Sequence, residues 1–176
     1  MVPGIDSFRE KFKDYTDYYT IIGGTACDIL LSEADLPFRA TKDIDMILIM
    51  EDNFPEFASV FWEYIKEGGY KCGWKNEQNM HFYRFTEGKF GYPTMIELFS
   101  RKPGYHLEIE EGIIPIHIDD DTSSLSAILL NDDFYKFMMS GRRVVDGIGV
   151  LGAEHLIPFK IDRKSTRLNA SHLSRS

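Results

Sequence analysis

Tyr19-Thr-Ile-Ile-Gly-Gly-Thr25, followed by Asp43-Ile-Asp-Met-Ile-Leu-Ile49, is the stretch on which the fold turns. The first part reads as a short apolar strand running through a glycine turn into a helix; the second reads as another strand, opened by two carboxylates. Strand side chains alternate faces, so Asp43 and Asp45 point one way and Ile44, Met46 and Leu48 the other. Apolar flanks bury such a strand, and a carboxylate there is costly unless a cation or hydrogen-bond donors compensate it. Glycines without Cβ atoms let backbone N–H groups approach an anion where a helix begins. Singly, each motif also reads as an ordinary turn or a solvated strand end. Together they suit a divalent cation beside a phosphate.

The 176 residues, 43% of them hydrophobic, suffice for one domain with its own core. A single domain over residues 1–162 is expected, with a tail over 163–176. No apolar run approaches the roughly 20 residues that span a bilayer, and residues 1–6 do not read as a signal peptide. No membrane partner and a cytoplasmic location are the expectation. Cys27 and Cys72 have no metal-like spacing, and two scattered cysteines make no disulfide framework. The histidines at 81, 106, 117, 155 and 172 form no ligand pair at helical spacing, so any metal should be bound by oxygen. A net charge of −8 argues against a broad basic surface coating nucleic acid, while leaving room for a local basic groove.

Outward from the central stretch, Ile5, Phe8, Phe12, Tyr15 and Tyr19 recur at spacings of three and four, predicting an amphipathic helix over residues 5–18. Ala26, Ile29 and Leu30 mark one face of a second helix ending before Pro37, with Asp28 expected on its solvent side. A third helix should start at an Asp52 or Asn53 cap with Pro55 in its first turn, carry a stripe of Phe57, Val60, Phe61, Tyr64 and Ile65, and stop at Gly68-Gly69. Its aromatic residues read as core rather than as a stacking platform. Short strands are predicted over 70–74, 80–86, 94–100 and 113–118, giving a mixed sheet with meander-like pairs after a first parallel unit. Residues 124–139 read as a helix blurred by Asn131-Asp-Asp133, residues 142–151 as a turn and one strand, and residues 153–160 as another helical segment. Met95-Ile-Glu-Leu-Phe99 sets one carboxylate, Glu97, among apolar neighbours. An outward-facing residue on an edge strand is the plainer reading of it. Asp119, Asp120 and Asp121 compete with it, although an acidic triplet before Thr122-Ser-Ser124 reads more simply as a loop and cap.

At this point the chain resembles the nucleotidyltransferase superfamily that includes polymerase beta: a glycine pair, a helix, then Asp43-Ile-Asp45 on the next strand. Arg39-Ala-Thr-Lys-Asp-Ile-Asp45 makes it similar to the abortive-infection type toxin nucleotidyltransferases and related bacterial proteins. The resemblance implies an α/β (α+β) fold, a mixed sheet flanked by helices. It implies transfer of a nucleoside monophosphate from a nucleoside triphosphate to a hydroxyl, with pyrophosphate leaving. Two Mg²⁺ (or Mn²⁺) ions about 3.5–4 Å apart would neutralise the triphosphate and activate the acceptor. By the same resemblance Asp43 and Asp45 hold the metals, and Glu97, the third acid, completes the acceptor-side metal and can take the hydroxyl proton. Gly23, Gly24 and Thr25 cradle the β- and γ-phosphates, and Lys160, in Leu156-Ile-Pro-Phe-Lys160, contacts the nucleotide. Lys160 equally reads as a solvated helix lysine.

The superfamily's fold does not choose the acceptor. The toxin-like pattern favours an RNA 3′ end such as tRNA, with a protein acceptor and a cognate antitoxin or toxin as further expected partners. Arg39, Lys42, Arg84, Arg101, Arg142 and Arg143 are candidates for a phosphate track, beside their plainer reading as solvated surface. Two alternatives stand against the enzyme: an inactive nucleotide- or partner-binding member of a toxin–antitoxin pair, and a kinase-like antitoxin using the same site. Residues 164–176 resemble translated sequencing-adaptor sequence, which implies a natural protein cut short near Asp162 without the family's later Lys-x-Asp-like motif.

Overall fold

The computed structural model describes residues 3–37, 41–49, 54–76, 79–101, 113–116 and 125–156. In chain order the elements are α1 (Ile5–Phe12), β1 (Tyr19–Ile22), α2 (Gly23–Glu33), β2 (Asp43–Leu48), α3 (Phe54–Glu67), β3 (Lys71–Asn76), β4 (Asn79–Thr86), β5 (Met95–Arg101), β6 (Ile113–Ile116), β7 (Leu125–Leu130), α4 (Asp132–Ser140), β8 (Arg142–Val145) and β9 (Ile148–Leu151). The class is α+β, as the sequence predicts. Among the described residues one mixed sheet runs β3-β4-β5-β2-β1-β9-β8, and β7 pairs with both β5 and β6. One edge of β5 is shared: Ile96 and Glu97 pair antiparallel with β4, and Phe99 to Arg101 pair parallel with β7.

The parallel unit expected at the start does not form, because β1 and β2 are antiparallel, with Tyr19 opposite Leu48 and Ile22 opposite Asp45. The reason lies in the link after α2. It returns the chain to the first turn of α2, where the Thr25 hydroxyl donates to the Asp43 carbonyl. A strand starting there, beside the end of β1, must run back along it. The parallel neighbours are β9 for β1 and β5 for β2.

Strand alternation divides the sheet into two faces. Tyr19, Ile21, Met46, Leu48, Ile96 and Phe85 share one, and α1 and α3 close it with rings. Phe8 and Phe57 lie 5.4 and 6.2 Å from Tyr19, and Phe61 and Trp62 lie 5.5 and 5.6 Å from Phe85. Phe8, Phe12, Phe57 and Phe61 are fully buried, each worth roughly 1.5–3 kcal/mol in surface removed from water. The stripe expected of α3 is therefore core. Its cap, at residues 52–53, lies outside the described residues. The other face carries Ile22, Asp45 and Glu97, and α2 lies over it.

Four further expectations are corrected. The first helix stops at Phe12, and a single 3₁₀ turn, Thr16–Tyr18, leads into β1. Asp28 is buried, at 3% exposure, in the inward stripe of α2 with Thr25, Ala26 and Ile29. It follows Thr25 by three residues, so helical geometry places it beside an inward residue whatever its polarity. Residues 124–139 are not one helix: Leu125–Leu130 is a strand, and Asn131 caps α4 by accepting from the N–H groups of Asp133 and Phe134. The run 142–151 holds two strands rather than one. They are joined at Asp146-Gly147, both with positive φ (50° and 75°), the hairpin turn whose twist matches its strands. Residues 153–156 begin the last predicted helical segment.

Candidate active site

The site is built where β2 and β5 begin and α2 starts. β2 and β5 are parallel, with Asp43 opposite Met95 and Asp45 opposite Glu97. Residues paired across a ladder share a face, so Asp43, Asp45 and Glu97 lie together on the α2 side of the sheet. Their surroundings grade inwards, with Asp43 exposed, Asp45 half-buried and Glu97 1% exposed.

The two glycines are explained by what stands over them. Gly23 has φ +70°, and a Cβ there would lie 3.2 Å from Asp45 Oδ2. A Cβ on Gly24 would strike the Thr41 methyl at 2.7 Å. The glycine turn thus lets the carboxylate strand and its lead-in close onto the start of α2. Ile22, the N-cap, supplies no side-chain acceptor, and the Asp45 carboxylate beside Gly23 stands at the positive end of the helix. Thr25, expected among the phosphate-cradling residues, is buried. Its hydroxyl donates to the Asp43 carbonyl and lies 3.1 Å from Thr41 Oγ1, so that hydroxyl is committed within the fold.

Arg84, on β4 directly opposite Glu97, donates from Nε and Nη2 to Glu97 Oε2 at 3.2 and 3.0 Å. One guanidinium thereby offsets the most buried of the three carboxylates. Asp43 has no comparable compensation. Partial desolvation of the carboxyl first, although the residue as a whole is exposed, then the negative charge of Glu97, raises it above its ordinary value, against a smaller opposing pull from Lys42.

The donor chemistry fits an oxygen-bound dication: carboxylates on one face, negative charge in excess, and one member whose ionised form is disfavoured until a cation arrives. Among the described residues no three His, Cys, Asp or Glu side chains converge as a ready-made metal cage.

Of the basic residues, Lys42 and Arg84 stand at the site. Arg142 and Arg143 lie on β8 at the far end of the sheet, where Arg142 donates to the Thr16 carbonyl and Arg143 pairs with Glu33 at 3.5 Å. The expected phosphate track is not assembled from those two. Arg39, Lys160, Asp119 to Asp121 and the tail lie outside the described residues, as does the side chain of Arg101. Sequence reasoning missed Thr41, whose signal was its fixed place within Arg39-x-Thr41-x-Asp43-x-Asp45. It also missed the pairing of Arg84 with Glu97, which no local pattern announces. Among the described residues no helix is long and apolar enough to cross a membrane. Comparison with protein-family models, with curated proteins and with solved structures gives no match to this chain.

Proposed function

We propose that the chain is a Mg²⁺- or Mn²⁺-dependent nucleotidyltransferase that moves a nucleoside monophosphate from a triphosphate to a hydroxyl. The observation that carries this reading is the β2–β5 register, with Glu97 beside Asp45 on the face of Asp43, at the glycine start of α2. Asp43 and Asp45 would hold the metal, which when bound supplies charge neutralisation to the triphosphate. The N–H groups of Gly23, Gly24 and Thr25 would receive phosphate oxygens. Glu97 would orient the acceptor hydroxyl and take its proton, with Arg84 fixing the carboxylate and holding local charge in balance. An RNA 3′ end is the acceptor favoured by the toxin-like motif, and a protein hydroxyl the other.

Calorimetry of a nonhydrolysable triphosphate with Mg²⁺ tests the reading. Binding should depend on metal and vanish in the Asp43→Asn, Asp45→Asn double variant. Equal binding in both proteins, or none in either, overturns it.

The Arg84–Glu97 pair favours a second reading, a nucleotide- or partner-binding protein of a toxin–antitoxin pair in which the third carboxylate is committed to structure. Triphosphate binding without any transfer to RNA or protein acceptors would support it. A kinase-like use of the site is separated by product mass, one phosphate gained rather than one nucleotide.

A further inference from the structure

The segment that delivers the carboxylates, Thr41-Lys42-Asp43, precedes β2 and does not rely on the ladder alone. It is held from two sides. From α2, the buried Thr25 hydroxyl donates to the Asp43 carbonyl and meets the Thr41 hydroxyl at 3.1 Å. From the lead-in to β5, the Thr94 N–H donates to the Lys42 carbonyl at 2.9 Å. Between them the Thr41 methyl sits so close over Gly24 that no Cβ fits there. Asp43 itself is exposed.

We propose that Thr25 is a positioning residue: its hydroxyl clasps the lead-in of β2 to the first turn of α2 and sets the Asp43–Asp45 pair against that helix start. This accounts for the threonine at 41 and the glycine at 24 as parts of one clasp. What the pair then holds rests on the nucleotidyltransferase reading; the clasp does not. Groups that orient ligands from behind contribute about 10- to 100-fold to metal affinity.

The test compares wild type, Thr25→Val, Thr25→Ser and a control, Ser7→Ala, which removes a hydroxyl that pairs with Tyr64 on α3, remote from the carboxylates in sequence. Hydrogen exchange reads the clasp without metal. Thr25→Val should speed amide exchange across residues 41–45 while α3 exchanges as in wild type; Thr25→Ser should restore it, and Ser7→Ala should leave it alone. Mn²⁺ titration reads the consequence, with affinity about tenfold weaker in Thr25→Val, near wild type in Thr25→Ser, and unchanged in Ser7→Ala. Unchanged exchange at 41–45 in Thr25→Val overturns the clasp. Faster exchange in a protein whose wild type binds no Mn²⁺ upholds the clasp and sinks the metal reading instead. Faster exchange with unchanged Mn²⁺ affinity refutes the positioning role.

Discussion

Glu97 and Arg84 show how a buried carboxylate is tolerated in this sheet. Glu97 is 1% exposed while the Arg84 side chain is 43% exposed, so the pair is half in water. Its attraction is screened on the arginine side, and the net value of such a pair is small. The cost of removing Arg84 comes from elsewhere, from leaving Glu97 charged and desolvated without its two donors. Arg84→Ala should therefore cost about 1–3 kcal/mol, whereas Arg143→Ala, which breaks a pair half-exposed on both sides at 3.5 Å, should cost at most about 1 kcal/mol. Urea denaturation of the two variants decides the matter. Equal losses would mean that Glu97 is satisfied without its arginine.

Among the elements, those with a sustained period were legible and those decided by one polar residue were not. The α3 stripe from Phe57 to Ile65 repeats at helical spacing over several turns, and the helix is where that spacing predicts it. Leu125-Ser-Ala-Ile-Leu-Leu130 is too short for its period to separate strand from helix; the open edge of β5 beyond Ile96 and Glu97 decides for a strand. The deciding signal was Asn131, which looked like noise inside a helix and is in fact the cap that begins one. Asp146-Gly147 was likewise a hairpin signal, flanked by apolar pairs on each side. If Asn131 carries the start of α4, then Asn131→Ala should lower stability by about 1 kcal/mol, and Asn131→Asp should restore most of it. Thermal melts of the three proteins check this, and an alanine variant as stable as wild type would mean that packing of Tyr135 and Met138 suffices.

At the scale of the whole molecule, the carboxylates and glycines were legible because each motif is local. Their assembly was not, since it depends on which strands become neighbours. Asp45 meets Glu97 across a parallel ladder between segments separated by all of α3, β3 and β4, and Arg84 on β4 completes the row from a third strand. The same assembly sets a conflict between fold and site. In a chain of net charge −8, the fold gathers carboxylates and raises the Asp43 carboxyl, by burial and by repulsion from Glu97. A group whose folded pKa lies above its unfolded value binds protons more readily when folded, so its ionised form opposes folding. That opposition is present above the raised pKa and is relieved as pH falls through it. In chelator-treated buffer at neutral pH, Asp43→Asn should thus be at least as stable as wild type, by up to about 0.5 kcal/mol, the usual range for exposed positions. The gap should close as pH drops below the carboxylate range. With Mn²⁺ present the order should reverse, because a ligand that binds only the folded state stabilises it, by about 2.7 kcal/mol at 100 times its Kd, and the variant has lost a ligand. Paired melts with chelator and with Mn²⁺ would show the crossing. Parallel behaviour of the two proteins in both buffers would mean that the gathered charge at Asp43 does not serve a cation.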